Sequence, residues 1–100
     1  MLDLARIVGF DWDDGNDRKS LEKHGVEQRE TEQVFRDVRL LVLIDEKHSL
    51  EEQRFHAYGE TAMRRRLQVS FTLRQNSTLI RVNSARNMSR KERTRYEEEA

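Results

Sequence analysis

The sequence contains no cysteine and no proline, and it has only four glycines among its 100 residues. Without cysteine, neither a disulfide framework nor a thiolate metal site can form. No apolar run is long enough for a membrane span, and residues 1–9 lack the apolar core of a signal peptide. No repeat or linker divides the chain. The sequence therefore predicts one soluble, cytoplasmic domain over residues 1–100 that does not contact a membrane.

The formal net charge of zero hides a strong asymmetry between the two halves of the chain. Residues 1–53 carry 8 basic and 14 acidic side chains, whereas residues 54–100 carry 11 basic and 5 acidic side chains. Such a split indicates a surface that binds a polyanion on one side and a repelling or partner-facing surface on the other. A solvated surface on which the charges mix in three dimensions is an equally good interpretation.

Apolar periodicity predicts eight elements in the order β-α-α-β-β-β-β-α. They are a strand at 7–12, helices at about 14–24 and 27–36, strands at 39–45, 54–58, 67–73 and 80–83, and a helix at about 90–98. Gly25 is expected to end the first helix, and Ser89 with Glu92 forms a capping box before the last. The continuous apolar run at 39–45 predicts a strand covered on both faces. Short turns between consecutive strands favour an antiparallel meander with helices packed on it, an α+β domain.

Basic side chains are concentrated from the last strand to the last helix. They are Arg81 on the strand, Arg86 at its exit, and Arg90, Lys91, Arg93 and Arg95 on the helix. Arginine presents forked donors that match phosphate oxygens, so this set predicts phosphate binding. A solvated helix with Glu92 paired to neighbouring arginines is the alternative. Three further cations, Arg64, Arg65 and Arg66, fall in a turn, where a nucleic-acid contact is possible but a solvated turn is commoner.

Four side chains are candidates for proton transfer. His48 and His56 are too far apart in sequence for a local pair of metal ligands, and no H-E-x-x-H cluster exists, so no metal site is expected. Either histidine could act as a general base, although surface or sheet histidines are commoner. Glu92 and Tyr96 lie four residues apart on one helix face and could move protons. A capping residue and a packing anchor explain them better, so pattern alone predicts nucleic-acid binding and does not establish catalysis.

A series of short motifs occurs in order along almost the whole chain. They are FDWDDGN from residue 10, KHGV at 23–26, VFRD at 34–37, DEKHS at 45–49, IRVNSAR at 80–86 and SRKERTRYEE at 89–98. Together they resemble the BrnT family of bacterial type II toxins over residues 10–98. The resemblance implies a RelE-like fold, a small antiparallel sheet flanked by helices. It also implies a metal-independent endoribonuclease without a cofactor, which cuts RNA and so inhibits translation.

The resemblance also implies partners. The expected one is a BrnA-like antitoxin with a ribbon-helix-helix DNA-binding domain, in an assembly of two toxins with two antitoxins that contacts DNA only through the antitoxin. The basic surface would bind the RNA substrate, and the antitoxin is expected to cover the same surface.

Roles for individual residues follow from the same resemblance. Arg81 and Arg86 would orient the phosphate and stabilise its growing charge, while His48, His56, Glu92 and Tyr96 compete for acid–base work. The residues expected to bind RNA are Arg54, Arg64, Arg65, Arg66, Arg90, Lys91, Arg93 and Arg95. A non-catalytic RNA- or antitoxin-binding module, such as a decayed toxin, is the second hypothesis. A metal-dependent hydrolase is disfavoured by the missing ligand cluster.

Overall fold

Five strands and three helices make up the part of the chain that the computed structural model describes, residues 2–49 and 51–99. The strands are β1 (Gly9–Phe10), β2 (Leu41–Ile44), β3 (Phe55–Glu60), β4 (Arg66–Arg74) and β5 (Leu79–Asn87). The helices are α1 (Asp14–His24), α2 (Gln28–Val34) and α3 (Arg90–Glu99), with short 3-10 turns at Leu4–Arg6 and Glu46–His48. The α+β class predicted from the sequence is confirmed. None of these helices is long and apolar enough to cross a membrane.

The sheet has the strand order β1-β5-β4-β3-β2 and is mixed. Strands β2 to β5 form the predicted antiparallel meander. The prediction of a purely antiparallel sheet is wrong, because β1 runs parallel to β5, with Gly9 opposite Leu79 and Phe10 opposite Ile80. Alternation in a sequence shows which side chains share a face but does not reveal the direction of the neighbouring strand. β1 is also only two residues long, much shorter than the predicted strand at 7–12.

Strand β2 lies at the other edge of the sheet, and its apolar side chains pack on both faces, so the predicted cover is present but incomplete. Its residues are half-buried, and the side chain of Ile44 is more than half exposed. The apolar run serves two separate clusters: Val42 packs on the main core, whereas Leu41 and Leu43 pack beneath α3. A strand that alternates between two apolar environments produces the same continuous run as a fully buried one.

The two faces of the sheet differ in character. One face carries the main core, where Phe10, Phe35, Phe71 and Phe55 form a row of aromatic rings with centroid separations of 5.5, 5.2 and 5.3 Å. On the opposite face, α3 buries Tyr96 against Tyr58 and Met88 at one end. The remainder of this second face is polar, since the β4 residues that face it are Gln68, Ser70 and Thr72. We call it the polar face.

Local sequence signals determine where the helices begin and end. Asp13 caps α1 by accepting hydrogen bonds from the backbone N–H groups of Gly15 and Asn16, and Gly25 ends it in the left-handed conformation at φ 63°. The predicted capping box of α3 is confirmed: Ser89 N donates to Glu92 Oε1 at 2.8 Å, and Glu92 N donates to Ser89 Oγ at 3.2 Å. α2 is shorter than predicted, which fits its polar sequence and few apolar contacts.

Candidate active site

A chain of hydrogen bonds crosses the polar face from β4 to the 3-10 turn that follows β2. On β4, Ser70 Oγ and Gln68 Nε2 lie 2.9 and 3.0 Å from Nδ1 of His56 on β3. On its other side, His56 Nε2 is 3.1 Å from Oδ2 of Asp45. The same oxygen lies 2.8 Å from Nδ1 of His48. Two histidines, predicted separately, therefore share one carboxylate.

The shared carboxylate determines where each histidine carries its proton. An ionised carboxylate can only accept hydrogen bonds, so His48 donates from Nδ1, and the 3.1 Å contact of His56 Nε2 with the same oxygen favours a proton on that nitrogen as well. Nδ1 of His56 then has one lone pair, to which Ser70 or Gln68 donates, so neither ring nitrogen of His56 is open. Nε2 of His48 has no hydrogen bond to any residue in the described part of the chain, and the side chain is 54% exposed. His48 is therefore the histidine with a lone pair open to a bound substrate.

The environment favours an ionised Asp45 and a neutral His56. Burial of Asp45, which is 8% exposed, would raise its pKa, but the hydrogen bond from His48 is the largest of the effects that lower the pKa on balance. Burial lowers the pKa of His56, an effect that Asp45 partly offsets and Arg54 reinforces. Arg54 places its Nε 3.9 Å from Oδ2 of Asp45 and adds a cation beside the cluster. No group of three His, Cys, Asp or Glu residues in 2–49 and 51–99 is arranged to hold a metal ion.

A β-bulge brings Arg81 and Arg86 to the same face of the sheet. The two residues are five positions apart, so in a regular strand they would point to opposite faces. The register shifts between Ser70 and Phe71, which leaves Asn83 as an extra residue on β5. As a result Arg81, opposite Thr72, and Arg86, opposite Gln68, both lie on the polar face.

Carboxylates hold both of these arginines. Arg86 donates to both oxygens of Glu92 at 2.8 and 2.9 Å, and Arg81 donates to Asp11 and Asp13 at 3.0 and 2.7 Å. The hydrogen bond from Arg86 is the main cause of the lowered pKa of Glu92. Glu92 is therefore ionised at neutral pH, with no proton to donate as a general acid.

Tyr96, also a candidate for proton transfer, is 1% exposed, and its hydroxyl donates to Asp37 away from the histidine cluster. Burial, together with the hydrogen bond to Asp37, raises the pKa of Tyr96 to about 12. The guanidinium group of Arg39 lies 4.9 Å above the centre of its ring. These contacts make Tyr96 the residue that fastens α3 to the body of the protein.

The three consecutive arginines predicted to bind RNA occupy different environments. Arg65 donates to the backbone carbonyls of His24 and Gly25 at the end of α1, both at 2.8 Å. Arg66 pairs with two glutamates and stacks on the ring of Tyr96. Arg64 has an exposed side chain and a backbone φ of 65°. Protein contacts thus occupy two of the three, and Arg64 is the one that faces solvent.

Helix α3 separates two grooves. The inner groove, about 640 Å³, is lined by residues that include Leu43, Asp45, His56, Tyr58 and Arg95. The outer groove, about 730 Å³, is lined by residues that include Arg64, Arg66, Asn87, Arg90 and Arg93. Lys91 and Arg95 lie on the side of α3 that faces Leu41 and Tyr58. The helix therefore presents cations to both grooves, Arg95 to the inner one and Arg90 and Arg93 to the outer one.

Sequence reasoning missed Asp45, Gln68 and Ser70, which link the histidines to the sheet. Gln68 and Ser70 are polar residues of β4, where apolar and polar side chains alternate most regularly, and this alternation identifies a polar face. Asp45 follows directly after the apolar run of β2, three residues before His48. The antiparallel pairing of β3 with β4 sets His56 opposite Ser70, and a single sequence does not specify that register.

Comparison with known proteins identifies relatives. Residues 12–92 match the sequence model of the family described as "Ribonuclease toxin, BrnT, of type II toxin-antitoxin system". The crystal structure of the Brucella abortus ribonuclease toxin BrnT is similar, with a TM-score of 0.63, and the match covers 83% of this chain and 99% of that one. At 21% sequence identity this likeness shows a shared fold. No curated protein sequence matches the chain. The ordered motifs and the family match agree, and the chain belongs to the BrnT family of ribonuclease toxins of type II toxin–antitoxin systems.

Proposed function

We propose that this chain is a metal-independent endoribonuclease that cleaves RNA beside the cluster of His48, Asp45 and His56 and thereby inhibits translation. His48 is its general base. The observation that carries this proposal is the orientation of His48: Nδ1 donates to Asp45, while Nε2 has no described partner and faces solvent. The mixed sheet with helices on both faces also supports a RelE-like classification of the fold.

The reaction that fits these groups is internal transesterification. Nε2 of His48 takes the proton of a ribose 2′-OH, and the 2′ oxygen attacks the adjacent phosphorus. The new O–P bond closes a 2′,3′-cyclic phosphate as the bond from phosphorus to the 5′ oxygen breaks. The leaving 5′ oxygen takes a proton from solvent. The nucleophile and the leaving group both belong to the RNA, so no cofactor is consumed.

Arginines on the polar face supply the charge that this reaction requires. Arg86 and Arg81 are paired with carboxylates in the free protein. A bound phosphate would compete for their donors, because it accepts the same forked hydrogen bonds. Donors that reach the phosphate as its charge grows usually give the largest share of rate acceleration. Arg54, close to Asp45, is a third source of positive charge.

The RNA on either side of the cleaved bond would follow α3. Lys91 and Arg95 face the inner side, and Arg64, Arg90 and Arg93 line the outer groove. Arg65 and Arg66 were also predicted to bind RNA, but their contacts to α1 and to Tyr96 favour a structural role. His56, Glu92 and Tyr96 similarly support the site through their hydrogen bonds and leave the proton transfer to His48.

A matched pair of histidine variants tests the catalytic proposal. We expect the purified protein to cleave a fluorogenic RNA in excess chelator, and His48→Gln to reduce the rate about 10²-fold or more. His24→Gln, at the far end of α1, is the control and keeps the wild-type rate. A folded wild type that binds RNA without cutting it would support the alternative, a non-catalytic module. Activity that chelator abolishes would contradict metal independence.

A type II system pairs its toxin with a protein antitoxin. We propose a BrnA-like antitoxin with a ribbon-helix-helix domain, in a cytoplasmic assembly of two toxins and two antitoxins that reaches DNA only through the antitoxin. The cationic surface around Arg81, Arg86 and α3 favours an antitoxin segment that covers the same face as RNA. Co-expression with the antitoxin, native mass spectrometry and RNA competition test this. Simultaneous binding of RNA and antitoxin would contradict a shared surface.

A further inference from the structure

We propose that Asp45 is the positioning residue of His48, whose imidazole it holds in the tautomer that leaves Nε2 free to accept a proton. This inference rests on the proposed ribonuclease function and deepens it. Asp45 was not among the residues that the sequence predicted for the site. It acts through His48 and does not itself contact the RNA.

The backbone around Asp45 fixes the position of its carboxylate. Asp45 N donates to Arg54 O at 2.8 Å, which continues the pairing of β2 with β3 by one residue. Asp45 O accepts from Ser49 Oγ at 2.6 Å, and the same hydroxyl accepts from Arg54 N at 2.9 Å. The 3-10 turn that carries His48 is thereby closed onto the strand end that carries Asp45. The two side chains have little freedom to separate.

His56 anchors the carboxylate from the opposite side. Its Nε2 lies 3.1 Å from the oxygen that accepts from His48, and its Nδ1 is held by Gln68 and Ser70 on the central strand β4. Because burial lowers the pKa of His56, this ring stays neutral at physiological pH and does not neutralise Asp45, whose nearby cation is Arg54 at 3.9 Å. The negative charge of Asp45 is then available to stabilise the imidazolium that forms when His48 takes a proton.

An amide at position 45 would remove this arrangement while keeping the size of the side chain. The asparagine amide carries no charge and can turn either its oxygen, which accepts, or its nitrogen, which only donates, toward His48, so it does not enforce a proton on Nδ1 as a carboxylate does. His48 would lose the partner that fixes its tautomer, and its imidazolium would lose a neighbouring charge. We expect Asp45→Asn to lower kcat for RNA cleavage about 10²- to 10⁴-fold, with little change in KM.

Nitrogen-15 NMR of the histidine rings at neutral pH tests the inference without relying on catalysis. In the wild type we expect the proton of His48 on Nδ1 and none on Nε2. In Asp45→Asn we expect a substantial population with the proton on Nε2. Glu46→Gln removes the neighbouring carboxylate of the same turn and serves as the matched control. It should leave the His48 tautomer as it is in the wild type.

The outcomes separate this inference from the proposed function. A wild-type His48 protonated on Nε2, or a tautomer unchanged in Asp45→Asn, would overturn the role of Asp45 even if the protein cleaves RNA. The expected tautomers in a wild type that does not cleave RNA would refute the ribonuclease proposal and leave the positioning contact intact. If Asp45→Asn does not fold, the wild-type spectrum alone decides, because Nδ1 protonation supports the inference and Nε2 protonation overturns it.

Discussion

Replacing Tyr96 by phenylalanine separates a structural from a catalytic role for this residue. The substitution removes one hydroxyl and keeps the ring, so the packing against Tyr58 and Met88 is retained. What is lost is the hydrogen bond to Asp37. Asp37 still accepts backbone N–H bonds from Arg39 at 2.9 Å and Glu60 at 2.8 Å. The carboxylate is therefore not left without partners.

Hydrogen bonds to charged groups contribute about 1.5–3 kcal/mol to the free energy of unfolding. Because Asp37 keeps two of its donors, we expect Tyr96→Phe to lower this free energy by about 2 kcal/mol. For a chain of this size that corresponds to a fall in Tm of about 8–16 °C. Denaturant unfolding at pH 7 measures the change. RNA cleavage, measured well below the lowered Tm, should stay close to the wild-type rate.

The pH dependence of the same variant provides a second check. The pKa of Tyr96 is raised to about 12 in the folded protein from 10.0 for the free side chain. Between these values the unfolded chain loses the proton and the folded chain keeps it, so this contribution to stability is lost as pH rises through about 12. The free energy of unfolding of Tyr96→Phe should not show this decline with rising pH. A change in stability below about 0.5 kcal/mol, or a large loss of cleavage by the folded variant, would refute the structural role.

Three further substitutions or conditions have defined outcomes. Arg65→Met removes hydrogen bonds to the carbonyls at the end of α1, so it should cost about 1–3 kcal/mol of stability in denaturant unfolding and leave RNA affinity in filter binding unchanged. Gly59→Ala would set a Cβ 2.8 Å from the carbonyl oxygen of Val34, and thermal unfolding should show a loss of about 1–3 kcal/mol. The pKa values of Asp45 and Glu92 are lowered in the folded state. The free energy of unfolding that these two groups contribute is therefore present above their unfolded pKa values and is lost as pH falls below about 4. Urea unfolding at pH 7, 4 and 3 measures that loss, and equal stability at all three would contradict it.

Local rules predicted the elements whose ends and faces are decided by nearby residues. The caps of α1 and α3 were predictable, because a capping side chain or a left-handed glycine acts within a single turn. The alternation of β4 was likewise predictable from its own residues. The parallel partner of β1 and the edge position of β2 depend on contacts far along the chain. A period-2 pattern does not contain that information.

The candidate site was predictable in its composition and not in its geometry. His48 and Arg86 were named from the sequence, yet nothing local indicated that His48 shares a carboxylate with His56. The three arginines at 64–66 are chemically identical in the sequence, and only the fold shows that Arg65 reaches back to α1. The bulge at Asn83 has no sequence signal of its own, although it decides on which face Arg81 lies.

The parallel pairing of β1 with β5 means that the sheet cannot be completed during synthesis until β5 has been made. Arg81 and its partner Asp11 are 70 positions apart, and β1 has no strand partner until β5 has left the ribosome. At about 5–20 residues per second, that interval lasts roughly 4–14 s. During this time the backbone of β1 has no strand partner, and the polar face lacks Arg81 and Arg86. A nascent chain is therefore unable to assemble this arginine-bearing face until β5 has been translated.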